Sequence, residues 1–315
     1  MKKLISIVAP AYNEEEVVET FCVKITEVMQ ELTNYDYEIV ISNDGSKDRT
    51  FELSSKICSN DHHIKLVDLS RNYGHEIALA AGIDFAAGDA MILMDIDLQD
   101  PPELIPELIK KYEEGFEVVN ARRISRDGET FMKKFTAKLF YKVIAKANKK
   151  INIPENVGNY RLISRRVADS YKKLQEKHRF TRGLISWTGY KTCAVDFHRE
   201  ARLAGQSKYH WDTMINFAIE GFTSFTTNPL RWASYFAFGL AGINFIYFIY
   251  IIIQFVVSAS NFDFKYHFMF FSMIAISTLI AFFIGVLGEY VGRVFDETKQ
   301  RPLYFVQSLV NIDEK

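Results

Sequence analysis

The chain has little cysteine: Cys22, Cys58 and Cys193 are all it carries, and they lie far apart. The paired spacing that holds zinc is absent, and scattered thiols fit a reducing compartment better than a disulfide framework. Neither charge dominates. A formal net charge of -1 over 315 residues gives no reason to expect nucleic acid as a partner. Gly82 and Gly88 belong to no G-x-G-x-x-G turn, and there is no Walker lysine loop, so any nucleotide must be held another way. A signal peptide is lacking as well, because the apolar run after Met1-Lys2-Lys3 is too short and is followed by charges. The N-terminal part is therefore expected not to be exported.

Charge is missing altogether from Ala233 to Ser258 and from Phe268 to Gly288. Each stretch suffices for a helix across a hydrocarbon core of ~30 Å, which needs about 20 apolar residues. Two buried helices of a soluble core are the alternative, but such helices are usually shorter and keep a polar stripe. The connection Asn261–His267 is short, which predicts a hairpin with both outer ends on one side. Arg231, Arg293, Lys299 and Arg301 in the flanks outweigh Lys265 in the connection. Under the positive-inside rule, the chain is expected to be a multi-pass protein of the inner (cytoplasmic) membrane with its large N-terminal domain and both termini cytoplasmic.

What is present in the first half is an alternation of strand and helix patterns, the mark of a mainly parallel α/β sheet covered on both faces. Strands are predicted at Leu4–Ala9, Tyr37–Ser42, Ile64–Leu69, Ala90–Met94 and Phe116–Asn120. Between the first two, Val17, Val18, Phe21, Ile25, Val28 and Leu32 recur at helical spacing. Polar clusters follow the strands, where open α/β sheets place their ligands. Further on, Lys134, Lys138, Lys142, Lys146 and Lys150 share one broad helical face, which is either solvated or apposed to anionic headgroups. Trp211, Met214, Ile215, Ala218, Phe222 and Phe225 form an apolar stripe; it could pack on the domain, but its position before the first span favours the bilayer interface.

The most informative cluster is Met94-Asp95-Ile96-Asp97-Leu98-Gln99-Asp100. Two aspartates in a D-x-D spacing after a buried strand repel one another and lose hydration, so they stay ionised only beside something positive. A magnesium or manganese ion carrying a diphosphate would serve, since such hard ions take one or two carboxylates plus phosphate oxygens and water. Taken alone, such a pair is more often made of turn or cap residues.

The ordered blocks VAPAYNEEE from Val8, NDGSKDRT from Asn43, LSRNYGHEIALAAG from Leu69, DIDLQDPPELIPELI from Asp95, ARRISRDGE from Ala121, GNYRLISRR from Gly158 and GQSKY from Gly205 resemble the family 2 glycosyltransferases. Within that family the chain is most similar to the polyprenyl-phosphate branch, which holds the bactoprenol glucosyltransferases and dolichol-phosphate mannose synthase. The resemblance implies a GT-A nucleotide-sugar-binding domain. It implies Pro10, Tyr12, Glu14 and Asp44 around base and ribose, and Asp95, Asp97 and Gln99 holding the metal. Arg123 and Arg126 would lie at the diphosphate or acceptor phosphate, Asp97 with them forming the catalytic set; Arg161, Arg202 and Lys208 fall in later matching blocks as substrate-binding residues.

This chain departs from many relatives at Asn43-Asp44, where they carry two aspartates, and at Gly158-Asn159-Tyr160-Arg161, where they carry Gly-Asp-Phe-Arg. The resemblance further implies a nucleoside diphosphate sugar, most readily UDP-glucose or UDP-N-acetylglucosamine, and a polyprenyl phosphate as partners. It implies self-association too, and a place in cell-envelope glycan modification. Alternatives are GDP-mannose as donor, a processive polysaccharide synthase, or a silent scaffold that only binds nucleotide sugar. The expected organisation is a GT-A domain over 1–204, a juxtamembrane amphipathic region over 205–232, two transmembrane helices within 233–290 (about 233–258 and 268–288) and a cytoplasmic tail over 291–315.

Overall fold

The computed structural model describes residues 2–124, 157–174, 176–177, 179–197 and 263–312, with a few helical positions between 239 and 249. The lysine face at 134–150, the stripe at 211–225, most of the first expected span, and the boundaries near 204 and 232 lie outside the described residues. Two compact units are present, one formed by residues 1–221 together with 301–315 and the other by 222–300.

In the first unit all five expected strands form, as β1 Lys3–Ala11, β2 Tyr35–Asn43, β3 Ile64–Leu69, β4 Ala90–Leu93 and β5 Val118–Arg123. Three more strands, which the apolar pattern did not announce, are β6 Val157–Ser164, β7 Thr192–Phe197 and β8 Val306–Val310. Together they make one sheet in the order β7-β5-β6-β4-β1-β2-β3-β8. The pairs β1–β2, β1–β4, β2–β3 and β5–β7 are parallel. Among the described strands, only β6, wedged between β4 and β5, and β8 on the outer edge run antiparallel to their neighbours.

Physical chemistry explains the layout. Ile5–Ala11 and Ala90–Leu93 are buried without a break, as strands covered on both faces must be. The first helix, α1 Val18–Glu31, buries Val18, Phe21, Cys22, Ile25 and Met29; of the expected stripe, Val17, Val18, Phe21 and Ile25 are buried while Val28 and Leu32 are half-buried. The following helices are α2 Thr50–Asn60, α3 His75–Phe85 and α4 Ile105–Glu113. A run of small residues lets α3 lie close to the sheet: a β-carbon on Gly82 would come within 2.5 Å of the Val8 side chain. After β6 come α5 Arg165–Lys172, capped by the Ser164 side chain, and α6 Thr181–Trp187.

Within the sheet, on interior strand β2, a buried carboxylate ties four segments together. Glu38 on β2 is 2% exposed. It accepts hydrogen bonds from the Ser6 hydroxyl at 2.5 Å, the Lys65 ammonium at 2.6 Å and the Ala87 N–H at 2.6 Å. Burial alone would raise its pKa, but Lys65, Ser6 and Ala87 outweigh it and hold the group below the usual range.

In the second unit, α7 Asp263–Thr298 runs for 36 residues and contains the whole charge-free stretch 268–288. Among the described residues no helix is long and apolar enough to cross a membrane. Many of the apolar side chains described on α7, among them Met273, Phe282, Ile284, Val291 and Val294, are exposed, while Ile276, Leu279, Phe283 and Val286 are half-buried. The expected tail is divided: α7 extends to Thr298, while residues 301–315 belong to the first unit and supply β8.

Candidate functional site

The parallel strands β1, β2 and β4 end in three loops, and these carry most of the residues the sequence singled out. The loop after β1 holds Tyr12, Asn13 and Glu14. Pro10 itself is buried, still within the strand and opposite Ser42 of β2. Asn13 has a left-handed backbone with φ 54°, a conformation Asn tolerates better than most residues. Its backbone N–H donates to the Ser46 hydroxyl at 3.0 Å, and its side-chain oxygen receives the Lys47 N–H at 2.8 Å. Glu14 N–H donates to the Thr50 hydroxyl at 2.8 Å. The β1 and β2 loops therefore hold each other in place.

Asp44 is buried after β2, and its two oxygens receive the Tyr73 N–H at 2.7 Å and the Gly74 N–H at 2.9 Å. Burial raises its pKa, and those two N–H groups oppose the rise. Next to it Gly45 has φ 61°, and a β-carbon there would come within 2.4 Å of the Arg71 backbone. Glycine is required at 45 on both counts, and the contact sets the loop after β2 against the loop after β3. A cleft of about 380 Å³ opens beside this contact, walled by Ser46, Arg49, Phe51, Asp68, Arg71 and Gln307 among others.

The D-x-D loop follows β4. Ile96 and Leu98 are buried while Asp95 and Asp97 between them are partly exposed, so alternation turns both acids away from the core. Leu98 carries φ 55°, and the Asp97 carboxylate stabilises that strained turn by accepting the Gln99 N–H at 3.1 Å. Gln99 is largely buried, and the Tyr160 hydroxyl donates to Pro101 O at 2.8 Å, which pins the far end of the loop.

The positive partner that two ionised aspartates need is supplied in part by a residue not picked out from the sequence. His75 Nε2 lies 2.9 Å from Asp95 Oδ1, with the ring 47% and the carboxylate 32% exposed. Desolvation works against charge on the ring, but the field and hydrogen bond of Asp95, aided by Glu76, raise its pKa to about 9. The signal was present in the block after β3, where Gly74 (φ 99°) opens α3 and sets His75 at its first turn. Glu76 accepts the Thr181 N–H at 3.0 Å and the Asn159 amide at 3.4 Å, so it connects α3 to β6 and α6.

The arginines divide. Arg123, at the end of β5, reaches the D-x-D loop through Asp100, with Nη2 3.5 Å from Oδ1 and its side chain 11% exposed. Room for its guanidinium depends on Gly158, where a β-carbon would sit 2.9 Å from Nη2. Arg161 is 1% exposed and donates to Gly158 O at 2.6 Å, which places it inside the sheet layer next to Arg123. Arg126, Arg202 and Lys208 lie outside the described residues.

Among the described residues no cluster of three His, Cys, Asp or Glu side chains forms a ready metal cage. The side chains still fit a hard ion that takes two carboxylates and completes its sphere with phosphate oxygens and water: Asp95 and Asp97 offer oxygen donors on one loop, and both reach the surface.

The profile of glycosyl transferase family 2 matches residues 6–172, which contain all of these loops. The chain belongs to glycosyl transferase family 2. It groups with the polyprenyl-phosphate branch, and its sheet is the GT-A-like α/β sheet of such enzymes. It is 43% identical to an uncharacterized glycosyltransferase of Bacillus subtilis over 98% of this chain and 95% of the relative. It is 41% identical to the bactoprenol glucosyl transferase of Shigella phage SfX over 96% of this chain and 99% of the relative. The prophage bactoprenol glucosyl transferase homolog of Escherichia coli matches at 41% over 96% of this chain and 98% of the relative.

The asparagine of this glycosyltransferase at position 43, where the resemblance leads one to expect aspartate, is held by specific partners. Asn43 Nδ2 donates to Asp68 Oδ1 at 2.7 Å, and its oxygen receives the Ser46 hydroxyl at 2.5 Å. An aspartate at 43 would face Asp68, whose pKa burial already raises against the pull of Asn43 and Ser308. In Asn43→Asp the facing carboxylates share a raised pKa, so the stability lost relative to wild type should be small in acid. The loss should grow as pH rises past the ordinary carboxylate range, to about 1–3 kcal/mol at neutrality. Melting curves from pH 4 to 8 check this; a deficit that does not change with pH counts against the carboxylate clash.

Proposed function

We propose that the enzyme transfers a single sugar from a nucleoside diphosphate sugar, UDP-glucose or UDP-N-acetylglucosamine, to polyprenyl phosphate at the cytoplasmic membrane face, with inversion at the anomeric carbon. The observation that carries the catalytic half is the pair Asp95 and Asp97, held outward at the end of β4 with His75 on one side and Arg123 behind the loop. The acceptor is supported by relatives called bactoprenol glucosyl transferases that match across nearly the whole chain.

The chemistry asks little of a general base. A phosphate monoester has its second pKa near 6, so the acceptor is already mostly an anionic nucleophile at neutral pH. What needs stabilising is the departing diphosphate and an oxocarbenium-like centre. A bound magnesium or manganese ion would supply Lewis-acid neutralisation of the diphosphate. Asp95 and Asp97 would hold it, with Gln99 N–H keeping Asp97 in its turn. Arg123, and Arg126 by its place in the matching block, would pair with phosphate oxygens, a geometry for which guanidinium is suited. Pro10, Tyr12, Glu14 and Asp44 would frame the nucleoside, Asp44 by fixing the backbone at Tyr73 and Gly74. Arg161 would act from inside the sheet by supporting the Arg123 site; Arg202 and Lys208 would meet the acceptor phosphate.

A membrane hairpin gives the enzyme access to its lipid, because drawing a long isoprenoid chain out of the bilayer costs ~0.8 kcal/mol per CH₂. Two observations support it: the exposed apolar side chains along α7, and the return of residues 301–315 to the catalytic unit. A segment that leaves a unit and returns to it must cross a bilayer an even number of times. Incubating purified enzyme with manganese, radiolabelled nucleotide sugar and polyprenyl phosphate is the test. Label should enter an organic-extractable lipid bearing one sugar. Insoluble polymer would point to a processive synthase, and no incorporation from any nucleotide sugar would point to a scaffold; either result overturns the proposal.

A further inference from the structure

The segment after α7 is bound to the catalytic sheet more firmly than a five-residue edge strand requires. At one end of β8 the Tyr304 hydroxyl donates to Asp84 Oδ2 on α3 at 2.8 Å. At the other, Asn311, in a left-handed backbone with φ 59°, donates its amide to Cys58 O at 2.6 Å, Ile64 O at 2.8 Å and Asp61 O at 3.3 Å. Side-chain clamps at both ends fix the register in which Ser308 faces Asp68.

The ladder is irregular between Asp68 and Leu69, where Leu69 faces Val306, and pairing resumes at Ser70 N–H to Phe305 O, 3.0 Å. A bulge of this kind re-aims a side chain. Gln307 lies at the irregularity and walls the cleft between the loops after β2 and β3. From Ser308 a chain of hydrogen bonds enters the donor loops: Ser308 Oγ to Asp68 Oδ2 at 3.5 Å, Asn43 Nδ2 to Asp68 Oδ1 at 2.7 Å, Ser46 Oγ to Asn43 Oδ1 at 2.5 Å, and Asn13 N–H to Ser46 Oγ at 3.0 Å.

We propose that β8 is a positioning element of the donor site, in which Asn311 locks the strand and Ser308, through Asp68 and Asn43, sets the loop that carries Tyr12 and Glu14. Residues beyond the long apolar helix thereby govern donor affinity without touching the donor. The inference rests on the reading above that the donor lies at the ends of β1 and β2.

The test uses the full-length enzyme with Asn311→Gly, which keeps the left-handed backbone and removes the amide, and Ser308→Ala, which keeps the strand. Asn311→Gly should raise KM for the nucleotide sugar about tenfold and Ser308→Ala about threefold, with kcat within twofold and KM for polyprenyl phosphate unchanged. Asn311→Gln should recover part of the loss. If donor KM stays at wild type in both variants while melting temperature falls, β8 is only a structural edge and the proposal fails. Should Asn311→Gly not fold, Ser308→Ala decides alone. Failure of the functional reading is distinct, because wild-type enzyme would then not glycosylate the lipid phosphate at all.

Discussion

Asp97→Asn should lower transfer to lipid phosphate about 10³-fold while leaving the fold intact. The asparagine oxygen can still receive the Gln99 N–H, so the turn that holds Leu98 survives. What is lost is one negative charge that the proposed mechanism uses to hold a divalent ion, and Lewis-acid stabilisation of a departing diphosphate is worth several kcal/mol. At 1.36 kcal/mol per decade, about 4 kcal/mol corresponds to the stated loss. Single-turnover rates with saturating manganese, beside a melting curve, measure it. Turnover within a few fold of wild type would refute the metal role of Asp97, whereas an equal loss with a collapsed melting transition would make the residue structural.

The largest effect on stability is expected from Lys65→Met. The methionine fills similar volume but leaves Glu38 buried with only the Ser6 and Ala87 donors. Removing one partner of a buried pair costs about 3–5 kcal/mol. The Lys65 side chain is partly open to solvent, which places the expectation near the lower end, about 3 kcal/mol at neutral pH.

The pH dependence identifies the cause. In wild type the Glu38 pKa is depressed, so its contribution is present above the unfolded value of 4.5 and is lost as pH falls through the lower folded value. Without Lys65 the folded pKa rises instead. The gap in melting temperature between the two proteins should therefore be narrow near pH 4 and widen toward pH 7. A gap of constant width would assign the loss to packing.

The parallel part of the fold was legible because strands covered on both faces are continuous apolar runs. Ile64–Leu69 was read with the bounds it has, and the cores of β1, β2 and β4 to within two residues at each end. β6 escaped because Asn159 and Arg161 interrupt its pattern. Those polar groups are tolerated only because the strand is wedged between β4 and β5, with Glu76 and Gly158 O as partners. β8 escaped for a related reason: half-buried and five residues long, it follows an apolar helix and pairs with a strand more than 200 positions earlier. Likewise, the D-x-D pair could be read from its spacing, but the choice of His75 as the cation beside Asp95 could not, since 20 residues of α3 and β4 separate them.

Composition and local pattern alone determined a mainly parallel α/β sheet, acids at the end of its fourth strand, arginines at the end of its fifth and long charge-free stretches toward the C-terminus. These depend on side-chain polarity and on periodicities of a few residues, which any short window of the chain contains. Tertiary structure decided which groups meet: Asp95 with His75, Arg123 with Asp100 in the space left by Gly158, Asn43 with Asp68, and β8 with β3. Each pairing joins residues distant along the chain that only the folded sheet brings together, and where both partners are buried, an unpartnered charge or amide is costly enough to select its partner.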